Sequence, residues 1–345
     1  MAKSRLDKLR SRRMDPLVKV AGLREAYDQL VDEDSSVRYA IGAMQPIDQD
    51  YTLRTLDERN RVEKQLAEGY GAAGLDMQFD YQGSLTNDTH VRIYSDVDLL
   101  TIIWGWHGIE PPNKPTNPYL GDPIQDLRHI RQMTIAILRA AYPAATVDQS
   151  KGKCVSISGG SLKRHIDLIA SDWWYTVEYV QSPAKDKHWL GIEILDDKKG
   201  ERVPNKPFLH NKRIAERDAE TNGGLRKAIR LLKSLKYDSD DKIEVSSYDL
   251  ASIAYNIFTS WLTVPRGQDL LLVSNCRDYL RYLLYDASYR ASIEVPNKMR
   301  NVFCAGGATE AGLGQLSLAL DTLVAEIDGE LGRSLRKLKE ARILY

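Results

Sequence analysis

The first part of the chain mixes helical and strand patterns. Apolar residues recur at helical spacing in three segments, which predicts three helices. The first covers about 16–32, the second runs from Thr52 to a glycine-rich stretch at 69–74, and the third runs from Asp122 to about 142. The proline-rich segment 108–123 predicts a loop. Alternating or continuous apolar runs predict strands, which are expected at 79–81, 97–104, 154–158, 162–169, 192–195 and 202–208.

After about residue 208 the pattern is helical throughout. It predicts five helices, which are expected at 209–220, 223–237, 246–262, 267–286 and 310–342. The sequence therefore predicts an α+β protein, with one domain over 1–207 and a helical domain over 208–345.

Composition supports this division and excludes several classes of protein. A length of 345 residues is enough for about two domains, and 43% hydrophobic with 28% charged residues is typical of globular proteins. No run of 18 apolar residues occurs, and the basic N-terminus lacks the apolar stretch of a secretory signal, so we expect a cytoplasmic protein without a membrane segment. The three cysteines lie far apart, which argues against a disulfide framework and a local zinc site.

Charge is balanced overall but unevenly distributed. The 48 basic and 48 acidic residues cancel, yet residues 206–236 contain nine Lys or Arg against three Asp or Glu. Residues 1–13 carry a further basic cluster. Such segments are suited to phosphate groups, and the alternative interpretation is a set of solvated helix faces.

The strongest chemical signal is a Gly-Ser pair followed by an Asp-x-Asp motif. Gln82, Gly83 and Ser84 follow a predicted strand, and glycine with serine offers a close backbone approach, an N–H group and a hydroxyl to a phosphate. Asp96 and Asp98 begin the next strand, where side chains two residues apart point to the same face. An isolated Asp-x-Asp is more often a solvated pair, but its position after Gly-Ser favours a metal site.

A third carboxylate follows on a later predicted strand. His165, Asp167 and Ile169 share one face of the strand at 162–169. Three carboxylates can hold two Mg²⁺ ions, with Mn²⁺ as an alternative. Such a pair of ions can bind a nucleoside triphosphate, activate the hydroxyl that attacks it and stabilise the departing pyrophosphate. We expect Asp167 to lie nearest the attacking hydroxyl.

In this order, the motifs resemble those of the polymerase β-like nucleotidyltransferases. The segment 82–100, QGSLTNDTHVRIYSDVDLL, resembles more narrowly the CD-NTases, which are bacterial relatives of cyclic GMP-AMP synthase. The matching motifs extend from about residue 81 to 260. The resemblance implies a catalytic core with a mixed sheet and a long N-terminal helix, and a C-terminal helical bundle that closes the active-site cleft.

Two later blocks resemble the same family and imply further nucleotide-binding residues. The segment 221–233 resembles the family's helix whose lysine, here Lys233, reaches the triphosphate. Arg226 and Arg230 precede it on about the same helical face and add positive charge, unless this face is simply solvated. Ser247 and Tyr248 resemble a phosphate-binding serine and a base-stacking tyrosine, although core packing is the commoner role of a tyrosine.

The resemblance implies synthesis of a cyclic di- or trinucleotide from ribonucleoside triphosphates, with release of pyrophosphate, in anti-phage (CBASS) signalling. The residues leave two alternatives open: a nucleotidyltransferase that modifies an RNA end, a protein or a small molecule, and an inactive nucleotide- or RNA-binding module. A regulatory protein partner is compatible with the sequence, and a monomer is the default expectation. Because the chain contains no Cys/His cluster, we do not expect zinc-dependent DNA sensing.

Overall fold

One mixed sheet dominates the first part of the molecule. The computed structural model describes residues 4–13, 35–47, 49–91 and 97–343. Within them the strand order is β1-β2-β5-β4-β3, while β6 pairs with both β5 and β7. Strands β2 and β5 are parallel, and the other pairs are antiparallel. The strands are β1 (Met77–Gln82), β2 (Val97–Ile109), β3 (Thr146–Asp148), β4 (Val155–Gly159), β5 (Leu162–Tyr175), β6 (Leu190–Asp196) and β7 (Glu201–Asn205).

Helices account for most of the described residues outside the strands, so the predicted combination of helices and a mixed sheet is confirmed. In chain order they are α1 (Arg5–Arg13), α2 (Ser35–Met44), α3 (Gln49–Ala72), α4 (Pro123–Ala141), α5 (Val177–Gln181), α6 (Pro207–Glu220), α7 (Gly224–Asp238), α8 (Ser247–Tyr255), α9 (Thr259–Leu262), α10 (Asp269–Tyr285), α11 (Ala287–Ser292) and α12 (Glu310–Ile343), with one 3-10 turn at Lys187–Trp189.

The described chain divides into two compact units. The sheet unit comprises the described parts of 48–88 and 94–213, and the helical unit comprises those of 1–47, 89–93 and 214–345. These bounds differ from a division after residue 207, because α1 and α2 pack with the later helices. Leu9 and Tyr39 lie in the same apolar core as Leu232, Leu280 and Leu320.

Alternation along the strands sorts the sheet into two faces. One face packs on α3 and α4, where Leu66 and Leu127 share a buried core with Leu99 and Ile166. The other face buries a smaller apolar cluster that includes Leu100 and is otherwise formed by Ile102, Cys154, Ile169, Trp173, Ile192, Ile194 and Phe208. Because odd and even positions of a strand alternate between faces, the same pattern fixes where the polar residues of the strands lie.

Several elements differ from the expectation at their ends. Helix α4 begins as predicted, since the Asp122 side chain accepts hydrogen bonds from the N–H groups of Ile124 and Gln125. The prediction of one helix over 246–262 is wrong, because this segment forms two helices, α8 and α9. Helix α8 ends at Tyr255, and the side-chain amide of the next residue, Asn256, donates to the carbonyls of Ser252 and Glu294 (2.8 Å each). The helix expected at 16–32 lies outside the described residues.

Candidate active site

Asp98 and Asp167 lie opposite each other in the sheet unit. They are directly paired in the register of the parallel strands β2 and β5. Adjacent strands are about 4.8 Å apart, and paired residues of neighbouring strands point to the same face. Both carboxylates therefore lie on the face opposite α3 and α4.

The predicted Gly-Ser motif adjoins Asp98. Gln82, the last residue of β1, pairs with Asp98 in the antiparallel register of β1 and β2. Gly83 follows with φ +94°, and a Cβ atom at this position would collide with Oδ2 of Asp98. Ser84 begins the turn after it, which Thr86 closes by donating from its hydroxyl to the Gly83 carbonyl at 2.8 Å. The sheet thus brings the predicted phosphate-binding motif and one of the two paired aspartates together.

Three side chains from the neighbouring segment hold the Asp167 carboxylate. The Lys151 ammonium lies 3.1 Å from Oδ2 and 3.4 Å from Oδ1. The Ser156 hydroxyl donates to Oδ1, and the Cys154 thiol donates to Oδ2 at 3.4 Å. Burial, together with the nearby Asp167 charge, raises the pKa of Cys154 to about 11, so this thiol stays protonated and acts as a donor.

The donor set suits a hard divalent cation. Carboxylate oxygens are the preferred protein ligands of Mg²⁺, and Asp98 and Asp167 supply them from adjacent strands. Asp96, the remaining predicted ligand, lies outside the described residues. Within the described ranges no group of three or more His, Cys, Asp or Glu side chains is arranged so that it could hold a metal ion.

The predicted triphosphate-binding helix, α7, belongs to the helical unit. Lys233 is only 4% exposed and donates to the Thr89 carbonyl at 3.1 Å, and Arg230 is 5% exposed and donates to the Met44 carbonyl at 3.2 Å. The interpretation of these two residues as a solvated face is therefore wrong. Arg226 has a charged partner, Asp218, with which it forms an ion pair at 2.8 Å.

Ser247 and Tyr248 form the first turn of α8. Ser246 caps this helix by accepting from the Asp249 N–H, and the Ser247 hydroxyl lies 3.3 Å from that of Tyr237. Tyr248 is 37% exposed, so it is not a fully buried core residue.

Polar side chains fix the orientation of the Tyr248 ring. Its hydroxyl donates to Oδ1 of Asn297 at 3.2 Å, and the Arg300 guanidinium lies 5.4 Å from the ring centre. Asp249 holds Arg300 through an ion pair of 2.5 Å. Burial raises the pKa of Tyr248 to about 12, which keeps its hydroxyl a donor.

Sequence reasoning missed the residues that surround Asp167. The alternation of Cys154 and Ser156 along one strand was visible, but their role depends on the pairing of Ser156 with Asp167 in the β4–β5 register. Lys151 lies in a loop with no recognisable motif. No sequence signal placed Asn297 and Arg300 beside Tyr248.

No helix of the described chain combines the length and the apolar character needed to cross a bilayer.

The chain is similar to bacterial cyclic dinucleotide synthases in sequence and in fold. No family model matches the chain. A cyclic dinucleotide synthase, CdnE, of Yersinia aleksiciae is 38% identical over 292 residues, which cover 82% of this chain and 75% of that protein. A c-di-GMP synthase of a Lachnospiraceae bacterium is 31% identical over 259 residues, covering 68% of this chain and 72% of that protein. The structure of a STING-associated CdnE c-di-GMP synthase from Flavobacteriaceae sp. superposes with a TM-score of 0.78 at 24% identity, covering 96% of this chain and all of that one.

Proposed function

Because this chain belongs to the CdnE family of cyclic dinucleotide synthases within the CD-NTases, we propose that it joins two ribonucleoside triphosphates, releases pyrophosphate and closes the product into a ring. Membership confirms the resemblance noted in the sequence and makes the chain a nucleotidyltransferase. The proposed product is a second messenger of anti-phage signalling.

The observation that carries the proposal is the direct pairing of Asp98 with Asp167, with Gly83 packed against Asp98. In the proposed site, Asp98 and Asp167, together with Asp96, hold two Mg²⁺ ions. When bound, such ions lower the pKa of an attacking hydroxyl and neutralise the charge of the departing pyrophosphate.

The chain's own residues bind and orient the nucleotides. We assign the N–H groups and the hydroxyl of Gly83-Ser84, with Gln82 beside them, to binding the phosphates of the nucleoside triphosphate that is attacked. The positive φ at Gly83 supports this, because it turns the backbone at the end of β1. In the helical unit we assign phosphate binding to Lys233, Arg230 and Ser247. Tyr248 is assigned to a nucleobase, because its ring is partly exposed and held at its hydroxyl end.

The finer architecture is part of the same proposal. The sheet with α3 and α4 corresponds to a polymerase β-like catalytic core, and the later helices correspond to the C-terminal helical domain of this family.

The test is to incubate the purified protein with four ribonucleoside triphosphates and Mg²⁺, treat the mixture with phosphatase, and identify the surviving species by mass spectrometry. A cyclic dinucleotide resists phosphatase because it has no terminal phosphate. A linear product, or label transferred to added RNA or protein, would instead identify a nucleotidyltransferase with another acceptor. Nucleotide binding without pyrophosphate release would indicate an inactive binding module.

A further inference from the structure

The Asp167 carboxylate is fully engaged by protein donors. A carboxylate offers about four lone-pair positions on its two oxygens. In this structure Oδ1 accepts from Ser156 and lies 3.4 Å from Lys151, and Oδ2 lies 3.1 Å from Lys151 and 3.4 Å from Cys154. A divalent cation that binds Asp167 must therefore displace at least one of these donors.

Lys151 is the donor that can leave. Ser156 and Cys154 are 5% and 8% exposed and lie on or beside β4, where the surrounding packing restricts their side chains. The Lys151 side chain is 51% exposed. An ammonium group on a flexible four-carbon stem can leave a carboxylate and be solvated by water instead at low cost. A bound metal ion would also repel it, because both are positively charged.

The backbone of Lys151 is held in place although its side chain is exposed. Arg131 of α4 is 5% exposed, and its Nη2 donates to the carbonyls of Gln149 (2.9 Å) and Lys151 (2.7 Å). Asp197 lies 3.6 Å from Nε of Arg131, and its own N–H donates to the Gly152 carbonyl at 3.0 Å. A buried guanidinium thus fixes the loop between β3 and β4, so the ammonium stays within reach of Asp167.

We infer that Lys151 is a positioning residue that competes with the divalent cation for Asp167. This inference rests on the proposed function, in which Asp167 is a metal ligand. With Lys151 on the carboxylate, Asp167 is oriented and its charge is neutralised, and the affinity of the site for a free cation is lowered. Nucleotide phosphates supply further ligands to such ions, so the competition favours binding of metal together with substrate over binding of metal alone.

The experiment measures Mn²⁺ binding without nucleotide, by electron paramagnetic resonance of the free ion. The variants are Lys151→Met, which removes the charge, Lys151→Arg, which retains it, and Lys153→Met, a matched control at an exposed lysine of the same loop. Lys151→Met should bind Mn²⁺ about fivefold more tightly than the unaltered protein, as expected for loss of a partly exposed ion pair. Lys151→Arg and Lys153→Met should differ from the unaltered protein by about twofold or less.

A role limited to steadying the loop predicts the opposite sign, because a disordered site binds metal more weakly. Unchanged or weaker Mn²⁺ binding by Lys151→Met would overturn the inference. In an Asp167→Asn background, Lys151→Met should have no effect on Mn²⁺ affinity, and a persisting effect would also overturn it.

Failure of the inference can be distinguished from failure of the proposed function. If the unaltered protein makes a cyclic product but Lys151→Met does not change the Mn²⁺ affinity, the proposed function stands. Only the inferred competition between Lys151 and the cation is then rejected. If Asp98→Asn and Asp167→Asn leave Mn²⁺ binding unchanged, the metal assignment fails and the inference fails with it.

Discussion

Asp98 of β2 lies directly opposite Asp167 of β5 across a parallel strand pair, although α4, β3 and β4 lie between them in the chain. The register of two neighbouring strands therefore sets the separation of two proposed metal ligands. Rigid sheet positions of this kind can hold catalytic groups within the narrow tolerance that catalysis requires.

Gly83 is expected to be required for activity beyond its effect on stability. Gly83→Ala should lower the free energy of unfolding by about 1–2 kcal/mol because the native φ is +94°, and its new methyl group would displace the Asp98 carboxylate. Displacement of a ligand by about 1 Å can cost about a hundredfold in rate. Pyrophosphate release under steady-state conditions measures this loss.

Gly159 provides the matched control for Gly83. It has a similar φ of +87°, but no heavy atom lies within 4 Å of a Cβ atom at this position. Gly159→Ala should show a similar loss of stability and retain most of the activity. Equal activities of the two variants would exclude a special role for the Gly83–Asp98 contact.

Tyr248 is expected to contribute to nucleotide affinity through its ring. Tyr248→Ala should weaken nucleotide binding by about 1–3 kcal/mol, which is the usual contribution of one base stacked on an aromatic side chain. Tyr248→Phe keeps the ring and removes the hydroxyl, with its hydrogen bond to Asn297, so its affinity should stay much closer to that of the unaltered protein. Fluorescence titration with a nonhydrolysable nucleotide measures both.

Tyr285, also in the helical unit and 91% exposed, is the control position for this series. Tyr285→Ala should bind nucleotide normally. The stacking assignment is wrong if Tyr248→Ala binds nucleotide as tightly as Tyr285→Ala.

Asp172 is expected to make the stability of the sheet unit depend on pH. This carboxylate is fully buried, 2.9 Å from Arg202, whose guanidinium also contacts Glu193, and burial raises the pKa of Asp172 to about 8. In the unfolded chain the pKa is the ordinary value of about 3.9. The stabilisation is therefore complete below about pH 4 and declines as the pH rises towards 8.

Urea unfolding at pH 5.5, 7 and 8.5, followed by tryptophan fluorescence, measures this dependence. Most of the tryptophans lie in the sheet unit, namely Trp104, Trp106, Trp173, Trp174 and Trp189. The midpoint should fall with pH in the unaltered protein and fall less in Asp172→Asn. Parallel pH profiles of the two proteins would show that Asp172 does not carry the effect.

Local chemistry made part of this structure predictable. The start of α4 after Asp122 and the tight connection of β4 to β5 at Gly159-Gly160 depend on residues close in sequence, and the predicted helix start is confirmed. The motifs at 82–84 and 98 were recognisable because their residue types are those that suit the proposed binding of phosphate and metal.

Long-range pairing made the rest unpredictable. Strand β5 continues past Ile169 to Tyr175 and includes Asp172, whose buried carboxyl group is paired with Arg202 of β7, far along the chain. Helix α8 ends at Tyr255 partly because the Asn256 amide donates to the Glu294 carbonyl. Lys151 reaches Asp167 from a loop whose carbonyls accept hydrogen bonds from Arg131 of α4, and no local pattern encodes these contacts.

The most direct test of the account compares phosphatase-resistant products of the unaltered protein with those of Asp98→Asn, Asp167→Asn and the control Asp57→Asn, which alters an exposed carboxylate of α3. All four proteins are incubated with ribonucleoside triphosphates and Mg²⁺ and analysed by mass spectrometry. We predict a cyclic dinucleotide from the unaltered protein and Asp57→Asn, and a loss of at least about a hundredfold in the other two variants. Cyclic dinucleotide formed at an undiminished rate by Asp98→Asn or Asp167→Asn would contradict the assignment of the paired aspartates as the catalytic centre.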